Sequence, residues 1–372
     1  MSSGELAIDK YLTITGADKV TIDASNSSRI FNIDDGLSPH LVVAISGIAL
    51  KNGNSPGEGG AIRNNEQLSL SSISIMDSTA AASGGAIYNG EYVECSFSDI
   101  QLTGNTATAN EGGGIYNGND VVCSISDIQL SDNIAATSGG GMYSGTNAQI
   151  DMTRATITGN TASSDHGGGL YGGPYSQQSL IDVTVSNNTA GQYGGGIHGN
   201  SLSVVDADIF GNSAVKYGGG IYANGIDLSL DRVKLTGNSA TSSDGGGLYF
   251  RVTTATISNS TIAYNVAASY GGGIFSYSGT SAISNSTISN NTAAVASAIY
   301  YFGRLYYGSS HGTISNSTVA SNYGGSAITT ADYNATYSGY SLISSIVADN
   351  VPDDASGHMT TADHSLIESP NG

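Results

Sequence analysis

Positive charge is scarce in this sequence. Eleven Lys and Arg stand against thirty Asp and Glu, a formal charge of −19 over 372 residues. Nucleic acid and anionic membrane surfaces repel such a chain, so neither is an expected partner. No stretch approaches the roughly 18 apolar residues of a membrane helix, so this segment is not expected to insert into a bilayer. Met1-Ser2-Ser3-Gly4 opens no signal peptide; a secreted or cell-surface location, expected on the grounds below, requires a signal that this sequence does not contain. Tryptophan is absent, prolines number five and charged residues make up 11%. So little charge beside much Ser, Thr, Asn and Gly would fit a disordered chain, but 39% of residues are apolar and evenly spread. That distribution demands a core along the whole length.

Glycine is what the chain has in quantity, with 52 residues. The triplet "YGGGIY" (217 to 222) could cradle a phosphate or turn a corner. It recurs as EGGAI, SGGAIY, EGGGIY, SGGGMY, HGGGLY, YGGGIH, DGGGLY and YGGGIF, then decays to ASAIY and GSAI. The aliphatic residues fall at Ile62, Ile87, Ile115, Met142, Leu170, Ile197, Ile221, Leu248, Ile274, Ile299 and Ile328, at gaps of 24 to 29. A phosphate loop occurs once, between a strand and a helix. Repetition at a near-constant period means architecture.

A second motif runs in phase. Asn105, Asn133, Asn160, Asn188, Asn212, Asn238, Asn265, Asn291, Asn322 and Asn350 each follow a branched aliphatic by three residues, from Leu102 to Val347. The segments around them, such as "ATIT" and "VTVS", alternate apolar and polar like strands with one buried face. No segment carries a helical period longer than a turn. The pattern predicts an all-β, right-handed single-stranded parallel β-helix of about 12 coils, with a period near 27. Equivalent residues then stack about 4.8 Å apart. The Asn column is expected at a tight corner, in left-handed backbone, with amides bonded between coils. The glycines mark the opposite corner. Residues 1–57 form leading coils, 58–350 the regular repeats and 351–372 the C-terminal edge of one continuous domain.

Alternating GG-[GA]-I and Asn motifs resemble the repeats of chlamydial polymorphic outer membrane proteins, with an aliphatic residue where that family has Phe. The opening "ELAIDKYLTITGADKVTIDASNSSRIFNIDDG" is similar to the leading coils of bacterial extracellular right-handed β-helix proteins, related in shape to pectate lyases. The resemblance implies an extracellular fold. It does not select a function, because that scaffold carries adhesins, lyases, hydrolases and epimerases.

Cys95 and Cys123 occupy one column in adjacent coils, in "CSFSDIQL" and "CSISDIQL". Their spacing permits a disulfide, but parallel Cβ vectors disfavour one, so two reduced core thiols are the preferred reading. A bond is the alternative in an oxidising compartment. No metal site or cofactor is expected. Clustered oxygens in "NIDDG" (Asn32 to Gly36) and "DNVPDDASG" (Asp349 to Gly357) read as solvated turns, able at most to hold surface calcium weakly.

Two outer columns are candidates for function. The residue before each glycine triplet reads Glu58, Ser83, Glu111, Ser138, His166, Tyr193, Tyr217, Asp244 and Tyr270. His166 and Asp244 are its catalytic candidates, set against the plain reading of loop residues. The residue after each aliphatic reads Tyr88, Tyr116, Tyr143, Tyr171, His198, Tyr222, Tyr249, Phe275 and Tyr300. These face outward and predict an aromatic ladder, able either to stack on itself under loops or to stack against sugars. The longest coil, "YYFGRLYYGSSHG" (Tyr300 to Gly312), adds Arg304, Tyr306, Tyr307 and His311, and "YFRV" adds Arg251. Tyr222, Tyr249, Arg251, Phe275, Tyr300, Arg304, Tyr306 and Tyr307 are therefore the expected ligand contacts, with His311 and Tyr306 first in line for proton transfer. An extracellular or cell-surface protein binding an extended glycan, adhesin-like, is the leading reading. A polysaccharide lyase or glycoside hydrolase on the same flank is its rival, and catalysis is left open. An ice-binding array on Thr156, Thr184, Thr261, Thr287 and Thr318 fails at Asp208 and Lys234. The partner expected is a polysaccharide, and the protein itself a monomer or part of a larger surface protein.

Overall fold

The computed structural model describes residues 4–37, 41–303, 308–331 and 338–368. Among them no helix occurs. The chain winds as a right-handed, all-β parallel solenoid of about 12 turns with a spacing near 27 residues. Its contacts divide it into two units, Met1–Gly191 and Gln192–Gly372.

In the first unit one coil runs through strands Glu94–Thr103, Thr106–Ala107 and Ile115–Asn117. Each pairs in parallel with its counterpart a coil later, Leu102 with Leu130, Thr106 with Ile134 and Ile115 with Met142. The ten-residue strand alternates buried and exposed, but the phase slips by one residue between Phe97 and Ile100. Asp99 sits at the slip with φ 54°. A left-handed residue bends the strand, so that both halves turn their apolar side chains inward. Asp127, Arg154 and Asp182 repeat the bend.

Leu102, Leu130, Ile157 and Val185 form one fully buried column, and Ile209, Leu235, Ile262 and Ile288 form its like in the second unit. The Cα atoms of Cys95 and Cys123 are 4.6 Å apart and the two residues form a disulfide. This corrects the preference for reduced thiols. Direct register in adjacent coils brings the Cα atoms within bonding range despite parallel Cβ directions.

The glycine corner has two separate requirements. Gly112 adopts φ +70°, a region that side chains disfavour. Gly113 adopts ordinary φ, but a Cβ there would lie 2.4 Å from the Gly140 carbonyl oxygen of the next coil.

The Asn column is buried and bonded as the sequence suggests. Asn105 donates from Nδ2 to Asn133 Oδ1 at 2.9 Å and to the Ile75 carbonyl at 3.1 Å, and its backbone N–H donates to the same Oδ1 at 3.1 Å. The second unit repeats this from Asn212 through Asn350. There the row ends on buried Asp354, whose Oδ1 accepts Asn350 Nδ2 at 2.8 Å. One expectation fails in detail. The left-handed residue is not the stacked Asn but the one before it, such as Gly104, Asp132, Gly159, Tyr264 or Asp349. That arrangement makes the corner and aims the following amide inward. A further polar row lies directly after the strand bend in the second unit, where Ser260, Ser286 and Ser317 accept backbone N–H groups from the preceding coils. The first unit has Ile73, Ile100, Ile128 and Val183 at that place.

Candidate functional site

Outward residues of the three-residue strands build the aromatic flank. In the first unit Tyr88, Tyr116, Tyr143 and Tyr171 stack with centroids 4.9, 5.0 and 4.8 Å apart and planes within 7°. All four are half-buried. Their faces cover one another along the row, so the row presents ring edges sideways. A sugar ring needs a face. Burial raises each phenol's pKa, that of Tyr116 to about 12.

The second unit differs. His198, Tyr222, Tyr249 and Phe275 also stack, at 5.0, 5.2 and 4.8 Å, and Tyr300 tilts by 37° against Phe275 at 5.2 Å. Tyr193, Tyr217, Tyr277 and Phe302 pack against them. Tyr222, Tyr249, Phe275 and Tyr300 are 4–8% exposed. These four expected ligand contacts therefore belong to a core, and an open stacking floor is not what they form. Burial carries Tyr249 well above the usual phenol pKa and Tyr222 to about 12, so neither serves as a base near neutrality. The covering residues Tyr193, Tyr217 and Tyr270 occupy the position before the glycines, which the sequence displays without revealing that they lean over the ladder.

Arg251 lies beside this core. Its guanidinium carbon is 5.1 Å from the centroid of the Tyr277 ring. It lines an open groove of about 800 Å³ with Asn224, Thr253, Thr254 and Thr280. Gly279 keeps the floor low: its φ is +88°, and a Cβ there would lie 1.9 Å from the Val252 carbonyl oxygen. At the margin, the Thr254 hydroxyl donates to Asp227, and half-exposed His311 pairs in register with Thr280. Arg251 and His311 are thus brought to one face. Arg304, Tyr306 and Tyr307 lie outside the described residues.

The carboxylate and imidazole candidates sit apart from that groove's lining. Asp244 is half-buried and its pKa is pushed up to about 6, first by burial; its Oδ1 accepts the Tyr270 N–H at 3.2 Å. His166 stands in the other unit with its ring 6.3 Å from Tyr171. Among the described residues no group of three or more His, Cys, Asp or Glu could hold a metal ion. In the two oxygen-rich turns, Asp34 accepts Arg63 and Asn65, and Asp354 closes the Asn row.

Residues 182–200 match the Chlamydia polymorphic membrane protein repeat. The matched stretch spans a bend, an Asn corner and a glycine corner. No curated protein matches the chain. Among solved structures, a single-residue mutant of the periplasmic alginate epimerase AlgG is similar at 9% identity and a TM-score of 0.50, over 98% of this chain and 85% of that one. The A-module of the Azotobacter vinelandii mannuronan C-5 epimerase AlgE4 is 15% identical with a TM-score of 0.46, over 88% of each chain. At such identities the likeness is one of fold. No helix of the described residues is long and apolar enough to cross a membrane.

Proposed function

We propose that the protein is an exported, adhesin-like binder of extended glycans, and that the groove at Arg251 in the second unit is its contact surface. The observation that carries this reading is a guanidinium set over an aromatic ring at the rim of an open groove floored by backbone and hydroxyls. Such a cation is oriented for a sugar carboxylate or for neighbouring hydroxyls, and the threonines suit a hydroxyl-rich chain. In a chain of charge −19 it is a local exception, which favours an acidic glycan. The AlgG and AlgE4 proteins are by name epimerases of alginate and mannuronan, which is the same class of polymer; that agreement concerns chemistry and transfers no residue. The disulfide supports export to an oxidising compartment.

A polysaccharide lyase or hydrolase is the second reading, favoured by His311, a titratable group at the groove margin. One experiment separates the two. Purified protein is offered acidic and neutral polysaccharides while binding and new reducing or unsaturated ends are recorded. Arg251→Ala is expected to weaken polyuronate binding about tenfold or more, the loss of a charge-assisted contact. Unchanged binding refutes the groove. Product formation that His311→Ala abolishes without changing affinity establishes the enzyme.

A further inference from the structure

We propose that the first unit holds an internal site for ordered water, bounded by Asn117, Ser144, Ser176 and Gln178. It lies where a second row of stacked asparagines gives out, and it shares no residue with the groove at Arg251.

The row stands on the three-residue strands. Asn64, Asn89 and Asn117 end successive strands in direct register, and all are fully buried. Asn64 Nδ2 donates to Asn89 Oδ1 at 3.0 Å, and Asn89 Nδ2 donates to Asn117 Oδ1 at 2.8 Å. The oxygen of Asn117 is therefore taken, and its nitrogen still has N–H to give. The residues next in register are Ser144 and then Gly172. A serine hydroxyl stops short of the amide position, and no bond joins Ser144 to Asn117. A second amide approaches from the long strand. One column there reads Leu68, Cys95, Cys123 and Ile150, and then Gln178, which is 2% exposed. Ser176 and Gln178 turn their polar tips toward Gly172. A Cβ on that glycine would lie 2.7 Å from Ser176 Oγ and 2.9 Å from Gln178 Oε1.

Successive coils thus bring together Asn117 Nδ2, Ser144 Oγ, Ser176 Oγ and both amide atoms of Gln178. All are buried, and none has a hydrogen-bond partner among the described residues. Each such atom left unbonded destabilises the fold, because it has given up its bonds to solvent. An apolar side chain at position 178 would remove much of that burden, as Cys123 and Ile150 do in the same column. A glutamine there, beside two serines and a glycine that makes way for them, calls for a shared partner. Chemistry selects which. Asn117 Nδ2 needs an acceptor, which a metal ion or ammonium cannot supply. Gln178 Oε1 needs a donor, which a halide cannot supply. None of the four side chains carries a charge, so an ion would enter this interior uncompensated. Water both gives and accepts, and a buried water typically makes about three such bonds. The serine hydroxyls rotate to serve in either sense.

The test is crystallography of the full chain, parent and Ser144→Asn, at a resolution that places ordered water. Bromide and rubidium soaks, read by anomalous scattering, report any ion at the same place. In solution, nuclear Overhauser cross-peaks between water and the side-chain N–H groups of Asn117 and Gln178 report a long-lived contact. Ser144→Asn continues the asparagine row by one coil, so its new oxygen can take the Asn117 N–H directly. The parent is expected to show water within hydrogen-bond distance of Asn117 Nδ2 and of Gln178, no anomalous peak, and both cross-peaks. In Ser144→Asn the water at Asn117 and its cross-peak are lost, and the introduced amide stands in their place. A parent in which Gln178 bonds directly to Asn117 or Ser144, with no water between, overturns the proposal. A bromide or rubidium peak overturns it in favour of an ion. Water that stays unmoved at Asn117 in Ser144→Asn also overturns it, because the site would not be the end of the row. If that variant does not fold, the parent's density and cross-peaks decide alone.

Discussion

The two units carry the same aromatic row on the same corner, yet one row is half-open and the other is core. The difference traces to one column. Before the glycines the first unit has Ser83, Glu111, Ser138 and His166, where the second has Tyr193, Tyr217, Asp244 and Tyr270. Small or charged residues leave ring edges wet. Tyrosines lean over Tyr222 and Tyr249, with Tyr193 to Tyr222 at 5.0 Å and Tyr217 to Tyr249 at 4.7 Å. A solenoid can thus turn a surface row into a second hydrophobic cluster without altering its period, by changing one residue per coil.

The largest expected effect tests that contrast directly. Tyr249→Ala empties a packed site and is expected to cost about 3–5 kcal/mol, against about 1–2 kcal/mol for half-buried Tyr116→Ala. Guanidinium midpoints followed by circular dichroism read both, and equal shifts would erase the distinction between the units. Next comes the disulfide, whose cysteines lie 28 residues apart in the first unit. Reduction is expected to cost that unit about 2–4 kcal/mol. Hydrogen-exchange protection should fall across Val122–Ser131 and stay unchanged across Ser310–Ser315.

The Asn rows supply a control in which the units agree. Asn133→Ala and Asn265→Ala each leave buried partners unpaired, and each is expected to cost about 1–3 kcal/mol. Asn350→Ala belongs in the same range, because Asp354 gives that residue a partner on its far side. A much smaller shift for Asn350 would show that the row frays at its end.

The smallest effect is a pH dependence confined to the second unit. The folded pKa of Asp244, about 6, lies above the ordinary 3.8, so the folded state holds this proton more tightly than the unfolded state. Its destabilising effect is fully present above about pH 6 and is relieved as pH falls toward about 4. Allowing for partial solvent screening, the gain on acidification is about 1–2 kcal/mol. Asp244→Asn should raise the midpoint at pH 7 and flatten this part of the profile; an unchanged profile would mean that the carboxylate is solvated.

Architecture was legible in the sequence because columns repeat. Leu102, Asn105 and Ile115 each sit in a series, and a series fixes period, register and facing together. The bend at Asp99 was harder to see, since Ser72 and Arg154 share the backbone angle of Asp99, Asp127 and Asp182 without sharing their residue type. Burial of the second aromatic row was not legible either. Alternation shows that Tyr249 leaves the central core, but whether a neighbouring loop then covers it depends on side-chain direction three-dimensionally, and Tyr217 reveals its role only in place. Arg251 and His311 were singled out by chemistry, and the fold brings them to one face through the pairing of Thr254 with Thr280 and of Thr280 with His311.

The closing of the second unit's Asn row on Asp354 has an electrical consequence. One N–H of each amide in that row, from Asn212 onward, points to the side-chain oxygen of the following coil, while from Asn238 onward the other donates to a backbone carbonyl of the preceding coil. The side-chain-to-side-chain bonds therefore run head to tail and their dipoles add along the row. The row is a wire of partial charges with its positive pole at the C-terminal end, much as a helix has its positive pole at its N-terminus. An Asp side chain is the natural terminator for that pole: its Oδ1 accepts the last N–H, and unlike an amide it brings no N–H of its own to pass on. An Asn in its place would bring a further N–H donor to the end of the row, so a single oxygen-for-nitrogen exchange marks where the row stops.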